Sequence, residues 1–296
     1  MYRKVTVRVP ATSANLGPGF DTLGCALTLY NTLTFERSAK TEVFGCEPRF
    51  SGEDNLALVA FRRTCEAAGV TPPPVRLTLS ADVPVSRGLG SSATLIVGGA
   101  VAADALMSLG LGREALLAVA NAMEGHPDNV APALYGGLVA SLQEKGQPYA
   151  IPLSLADGLH FCAFVPDYEV RTHDARDVLP KTVPFFDATF NAAHVAVLVA
   201  ALAEGRDDLI RLSLRDRLHQ PYRRPLMAEY GEVEAAALSA GAVAFFLSGS
   251  GSTLMALYRD AAFVEKMKNS LAALSHGWRV LPLALDREGA SLTELV

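Results

Sequence analysis

Val83-Pro84-Val85-Ser86-Arg87-Gly88-Leu89-Gly90-Ser91-Ser92-Ala93 leads from an extended segment into an apolar stretch that reads as one helix over 93–109. Glycines let the backbone approach a ligand closely, and Ser91 and Ser92 are suited to cap the helix start. Free N–H groups and the positive end of the helix dipole then make an anion site. Without a ligand, the same string is a capped loop. It is not a Walker A loop, because no lysine in the chain follows a glycine. Gly88-x-Gly90-x-x-Ala93 matches the loose dinucleotide pattern, but a second helix over 113–124 follows the first instead of a strand. Pro84 is also badly placed for a central parallel strand. That context selects an α+β class over a doubly wound sheet.

Upstream, Val5, Val7 and Val9 alternate as one face of a strand that Pro10 should stop, and residues 10–24 are dense in turn formers. Residues 55–68 read as a helix and 75–79 as an alternating strand. Downstream, Gly125 is placed to end the 113–124 helix as a C′ glycine, and 136–142 reads as a short strand followed by polar residues 143–147. From about Pro152 the pattern changes. Strands are expected over 160–165, 243–247, 253–258 and 278–283, with helical tracts over 187–204, 226–240 and 261–275. Taking the first two tracts as one layer gives β-α-β-β-α-β, the ferredoxin-like order. Two domains are expected, 1–153 and 154–296.

The chain has 296 residues, of which 50% are apolar and 19% charged, with a net charge of −5. A chain this long buries roughly 75% of its unfolded surface and needs no disulfide or metal staple. Disordered and low-complexity classes are excluded, and so is an overall basic footprint for nucleic acid or anionic lipid. Cys25, Cys46, Cys65 and Cys162 form no CxxC pair, which argues against a zinc cage and suits a reducing cytosol. Residues 93–111 are apolar but carry Asp104, which would cost about 2.5–3.5 kcal/mol at a bilayer centre. A buried helix is the reading there, and residues 1–9 offer no apolar leader core. A cytoplasmic protein without membrane or nucleic-acid partners is expected. A homodimer is compatible with the size on the frequency of two-fold assemblies alone.

Two further segments carry chemistry. Phe246-Leu-Ser248-Gly249-Ser250-Gly251-Ser252-Thr253 joins two apolar strands with more glycine than a hairpin needs, which suggests close approach to another group. Glu124-Gly125-His126-Pro127-Asp128-Asn129 reads in two ways. Asp128 or Asn129 could cap a helix, or Glu124 and a loop serine could hold Mg²⁺, which takes few protein oxygens alongside phosphate oxygens. Zinc lacks a second nitrogen or sulfur ligand here.

Pro10-Ala-Thr-Ser-Ala-Asn15-Leu-Gly-Pro-Gly-Phe-Asp21, Gly88-Leu-Gly90-Ser-Ser-Ala93 and Ser248-Gly-Ser-Gly251 resemble the three ordered motifs of the GHMP small-molecule kinases. The first string and His126-Pro-Asp-Asn129-Val-Ala-Pro132 resemble the homoserine kinase branch of that superfamily. Two departures stand out. Ser252 follows the last glycine where proline is common, and only Gly125 separates Glu124 from His126 where some members carry a longer insert.

The resemblance implies an N-terminal domain like ribosomal protein S5 domain 2, a ferredoxin-like C-terminal domain, and ATP-dependent phosphorylation of the side-chain hydroxyl of L-homoserine in threonine synthesis. By position, Pro84, Val85, Ser86, Arg87, Gly88, Leu89, Gly90, Ser91, Ser92, Ala93 and Thr94 would wrap the triphosphate. Ser92, with Ser91 as the alternative, and Glu124 would hold Mg²⁺. Asn15, Asp21, His126, Asn129, Arg176 and Arg223 would bind the amino acid, with Arg224 a substitute for Arg223. Asn129, Glu124, Asp128 and Thr172 would surround the chemistry. Asn129 stands where other branches carry an aspartate base, so either no strong protein base acts or Asp128 does. The alternatives within the resemblance are a kinase for another small alcohol and a catalytically silent regulator that binds nucleotide or an amino acid.

Overall fold

The computed structural model describes residues 2–296; Met1, at the head of the basic N-terminal stretch, lies outside them. The first half runs β1 (Lys4–Ala14), β2 (Leu23–Arg37), β3 (Glu42–Phe44), α1 (Leu56–Ala67), β4 (Val75–Ala81), α2 (Ser91–Met107), α3 (Arg113–Glu124), α4 (Pro127–Tyr135), β5 (Leu138–Glu144) and β6 (Gln147–Leu153). The second half runs β7 (His160–Val165), α5 (Thr172–Asp177), α6 (Phe185–Glu204), α7 (Asp207–Ser213), α8 (Gln220–Arg223), α9 (Tyr230–Ala240), β8 (Ala244–Leu247), β9 (Leu254–Tyr258), α10 (Ala262–Leu271), β10 (Arg279–Leu283) and β11 (Ser291–Leu295). In the seven-stranded sheet β11-β1-β2-β4-β3 are neighbours and β5 links β2 to β6. The other sheet, β10-β7-β9-β8, is antiparallel throughout and has the ferredoxin-like order. The α+β class is therefore borne out.

Pro10 does not stop the first strand. The register shifts between Pro10 and Ala11, and β1 continues to Ala14 against β2. The bulge turns the strand over: Val5, Val7 and Val9 enter the core beneath α1 and α2, whereas Ala11 enters the core shared with the second sheet. Strand β2 escaped the sequence reading because Cys25, Ala26 and Leu27 are all fully buried, so no alternation marks it. Polar residues 143–147 are the tip of the β5–β6 hairpin, where Lys145 and Gly146 take φ of 52° and 83°, as a two-residue type I′ turn requires. Strand β11, from the half expected to form the second domain, pairs with β1 in the first sheet.

Helix α2 is buried on most of its circumference, and α1 lies so close that a Cβ on Gly99 would sit 2.1 Å from the Ala57 carbonyl oxygen. The α2 N-terminus is thereby fixed against the sheet. Helix α6 is long and apolar enough to cross a membrane by length and composition; 22% of that window is buried, with Leu198, Ala201 and Leu202 packing one side of its C-terminal half against the core. Helices α5, α7 and α8 were missed in the sequence because six, seven and four residues are too few for a helical period to register. The expected helix at 226–240 starts only at Tyr230.

Candidate active site

The site begins where α2 begins. Gly90, not a serine, is the N-cap residue, in the left-handed region at φ 67°, which a serine would resist. A Cβ there would lie 1.9 Å from Thr12 Oγ1, and one on Gly88 would lie 2.4 Å from the Ser248 carbonyl oxygen. The glycines thus let the second motif close onto the first and third. Ser248 Oγ donates to the Gly88 carbonyl (2.6 Å) and lies 2.8 Å from Ser13 Oγ, while the Gly249 N–H donates to the Ala14 carbonyl (3.0 Å).

Ser92 Oγ meets Glu124 at 2.7 Å to Oε1 and 3.0 Å to Oε2, which selects Ser92 over Ser91 as the partner of that carboxylate. Burial raises the Glu124 carboxyl above the usual range, against the lowering effects of the Ser92 hydroxyl and His126. Gly125, at φ 90°, ends α3 and turns the chain so that α4 starts two residues later, with Pro127 in its first turn. His126 is the N-cap residue of α4, without a side-chain cap; neither Asp128 nor Asn129 caps it.

That turn brings His126, Asp128 and Asn129 beside Glu124. Asp128 is 1% exposed; its Oδ1 lies 2.6 Å from His126 Nδ1 and its Oδ2 has no hydrogen-bond partner. Burial lowers the His126 pKa, but hydrogen bonding to Asp128 and the charges of Asp128, Glu124 and Asp21 outweigh it, and the net shift is upward. Asn129 Oδ1 accepts from Thr12 Oγ1 at 2.7 Å, so its amide Nδ2 is the group left to donate.

Asn15, at φ 65°, accepts the Asp21 N–H (2.9 Å) and donates to the Gly249 carbonyl (3.1 Å). Arg176, on α5, grips Asp21 with two hydrogen bonds of 2.9 and 3.3 Å. Arg223, on α8, is 1% exposed, yet its guanidinium meets only neutral acceptors. These are the Ala175 carbonyl (2.9 Å), the Gly249 carbonyl (3.1 Å) and His219 Nδ1 (3.3 Å). Burial of His219 lowers its pKa and leaves a neutral ring for that role. Burial first, and then the charge of Arg176, bring Arg223 down to about 10. Both guanidinium groups lie over the Phe20 ring, at 5.2 and 5.7 Å. Arg224 points elsewhere, to Glu234 at 3.1 Å.

A cavity of about 500 Å³ opens at the start of α2; Asn15, Asp21, His126, Asp128, Arg176 and Arg223 are not in its lining. Val85, Ser86, Arg87, Gly88, Gly90, Ser91 and Ser92 line it together with Glu124, Asn129, Thr172, Gly249 and Ser250. Thr172 Oγ1 lies 3.3 Å from Ser250 Oγ. Pro84, Leu89, Ala93 and Thr94 of the expected run are not in the lining; Leu89 and Ala93 are wholly buried, and Thr94 bonds Asn31 and the Ser91 carbonyl. The sequence reading missed the apolar end of the cavity, where Phe50, Leu56, Leu79 and Leu95 stand. It also missed Thr12 and Phe20, which lie inside the first motif string, and His219, which no string marks.

Family models for the N-terminal and C-terminal domains of GHMP kinases match residues 55–137 and 198–275. A homoserine kinase of Moorella thermoacetica is 47% identical over 291 residues, covering 92% of this chain and 98% of that protein. One from Clostridium botulinum is 40% identical over 288 residues, covering 96% and 97%. The crystal structure of homoserine kinase from Cytophaga hutchinsonii superposes with a TM-score of 0.90 at 30% identity, covering 99% of this chain and 98% of that one. An L. major mevalonate kinase shares the fold at 15% identity, with a TM-score of 0.70. With likeness of that extent in sequence and in three dimensions, the chain belongs to the homoserine kinase family of the GHMP kinases.

Proposed function

We propose that the protein transfers the γ-phosphoryl group of ATP to the side-chain hydroxyl of L-homoserine, giving O-phospho-L-homoserine for threonine synthesis. The observation that carries the choice of substrate is Arg223, a buried guanidinium without a carboxylate partner, next to the Asp21–Arg176 pair. A zwitterion completes this set. Its carboxylate takes the two arginines over Phe20, and its ammonium takes the Asp21 carboxylate that Arg176 releases. Asn15 acts by holding the Asp21 backbone and the Gly249 carbonyl in register. Held by Asp128, His126 stands within 4.8 Å of Asp21, at the ammonium end.

The N–H groups at the start of α2 suit the triphosphate, and the apolar recess at Phe50, Leu56, Leu79 and Leu95 suits a purine. Ser92 Oγ and Glu124 form an all-oxygen pair with no basic side chain hydrogen-bonded to the carboxylate, a donor set that fits Mg²⁺. Bound there, the ion would neutralise charge on the phosphate oxygens.

No protein group in this arrangement needs to act as a strong base. Asn129, with Oδ1 held by Thr12, offers its Nδ2 to orient the acceptor hydroxyl, and the proton leaves to a phosphate oxygen or water. The rival base, Asp128, has Oδ1 engaged by His126 and Oδ2 free, but it is buried outside the lining of the cavity. Asp128→Asn is therefore expected to lower kcat by less than about 10⁴-fold. A larger loss in a pre-steady-state measurement, with amino-acid binding retained, would assign the base to Asp128.

The activity itself is tested by ADP release from Mg·ATP with L-homoserine against L-serine, L-threonine, mevalonate and galactose. The expected result is homoserine-dependent turnover in the kinase range of about 1–100 s⁻¹, abolished by EDTA. Turnover with another alcohol alone, or nucleotide binding without turnover, overturns the proposal.

A further inference from the structure

A second cavity, of about 550 Å³, shares no lining residue with the first and lies among α7, α8, α9 and β8. Three arginines line it, Arg211, Arg215 and Arg224, with the acids Asp216 and Glu234. The acids are already spent. The Asp216 side chain is wholly buried: its Oδ1 accepts from Asn191 Nδ2 (2.7 Å) and the Leu218 N–H (2.9 Å), and its Oδ2 from the N–H groups of His219 (3.0 Å) and Gln220 (2.6 Å). Glu234 is paired with Arg224 at 3.1 Å.

Two guanidinium charges remain without a countercharge. Arg211 donates to the Val243 and Ala242 carbonyls (3.1 and 3.4 Å), which are neutral. Arg215 has a single recorded contact, with the Phe190 ring at 5.9 Å. Tyr230, only 8% exposed, lines the same cavity, and its ring lies 4.5 Å from the Arg224 guanidinium. Its hydroxyl has no hydrogen-bond partner among the described residues and is not one of the fully enclosed polar atoms, so it is a free donor reachable from the cavity that Tyr230 lines. Burial raises its pKa further, so it stays a donor at neutral pH.

We propose that this cavity binds a phosphate dianion, as a small phosphomonoester or as inorganic phosphate, through Arg215, Arg211 and the Tyr230 hydroxyl. Two uncompensated cations match a dianion, and guanidinium forks suit phosphate oxygens. The volume exceeds one phosphate, and Leu238 and Phe245 give an apolar wall for a short ester chain. Gln220 and Pro221, also in the lining, belong to the helix that carries Arg223, so the two sites share one element. The proposal does not rest on the kinase activity.

The test is calorimetric titration of the full chain, in a phosphate-free buffer, with inorganic phosphate and separately with glycerol 3-phosphate. Arg215→Ala and Tyr230→Phe are run beside the wild type. Arg215 is exposed with one ring contact and Phe keeps the Tyr230 ring, so both variants are expected to fold, and a thermal melt checks it. The expected result is binding by the wild type, about tenfold or more weaker in Arg215→Ala and clearly weaker in Tyr230→Phe. Tighter binding of the ester than of phosphate identifies a phosphomonoester site, and equal binding a free-phosphate site. No binding by the wild type up to about 10 mM, or equal binding by all three proteins, overturns the proposal, the second outcome placing the anion at the α2 loop instead.

Discussion

Glu124→Gln is expected to lower kcat about 10³-fold, roughly 4 kcal/mol of transition-state stabilisation, while leaving the fold at least as stable. The two effects separate because glutamine keeps the size of the side chain and an acceptor for the Ser92 hydroxyl but removes the charge. Burial raises the Glu124 carboxyl pKa, so the folded protein holds that proton more tightly than the unfolded chain does. The stabilising contribution of such a group is complete below its unfolded pKa and is lost as pH rises through the raised folded value. As pH rises through that folded value the wild type loses the contribution, whereas the glutamine variant has no charge to bury at any pH. Steady-state kinetics across Mg²⁺ concentrations and a thermal melt of both proteins check this. A variant with near-normal kcat would remove Glu124 from the metal role, and a variant that melts well below the wild type would make its role structural.

Arg223→Met should lower kcat/KM for L-homoserine about 10³-fold, chiefly through KM, with little change in KM for ATP. Methionine fills most of the space, and its cost to folding is the loss of the bonds to the Ala175 carbonyl and His219 Nδ1, the Gly249 carbonyl keeping its bond from Asn15, partly offset by loss of a buried charge without a counterion. The discriminating readout is 3-aminopropan-1-ol, which is homoserine without its carboxylate. Wild type is expected to reject it by about 10³-fold, and the variant to treat the two substrates within about threefold of one another. A purely structural arginine would lower both substrates in parallel and leave their ratio unchanged.

Parts of the site were legible because they depend on local chain chemistry. The turn at Gly125 was expected from its position after a helical stretch, and it is the left-handed residue that sets His126 next to Glu124. Ser92 was preferred to Ser91 by resemblance and not by pattern, since both suit a helix start, and the structure brings the Ser92 hydroxyl to Glu124. Arg176 and Arg223 could be placed by resemblance but not by pattern. Each lies on a helix too short to show a period, and an arginine in such a segment looks like any surface charge. The apolar part of the first cavity is assembled from β4, α1, α2 and the loop at Phe50, segments far apart in the chain, so no string announces it.

The sequence by itself determined the class of fold and the existence of an anion loop. Valine alternation, apolar runs, glycine placement and the succession of two helices after residue 90 are all local properties, and the backbone responds to them locally. Only the tertiary structure decided what happens to β1 at Pro10, where β11 goes, and which charges lack partners. The bulge in β1 is tolerated because it serves two cores at once, and β11 is held by an edge of β1 almost three hundred residues away in the chain. Whether an arginine is compensated depends on every group that surrounds it in space. Arg223 is told apart from the exposed arginines only after the chain has closed around it.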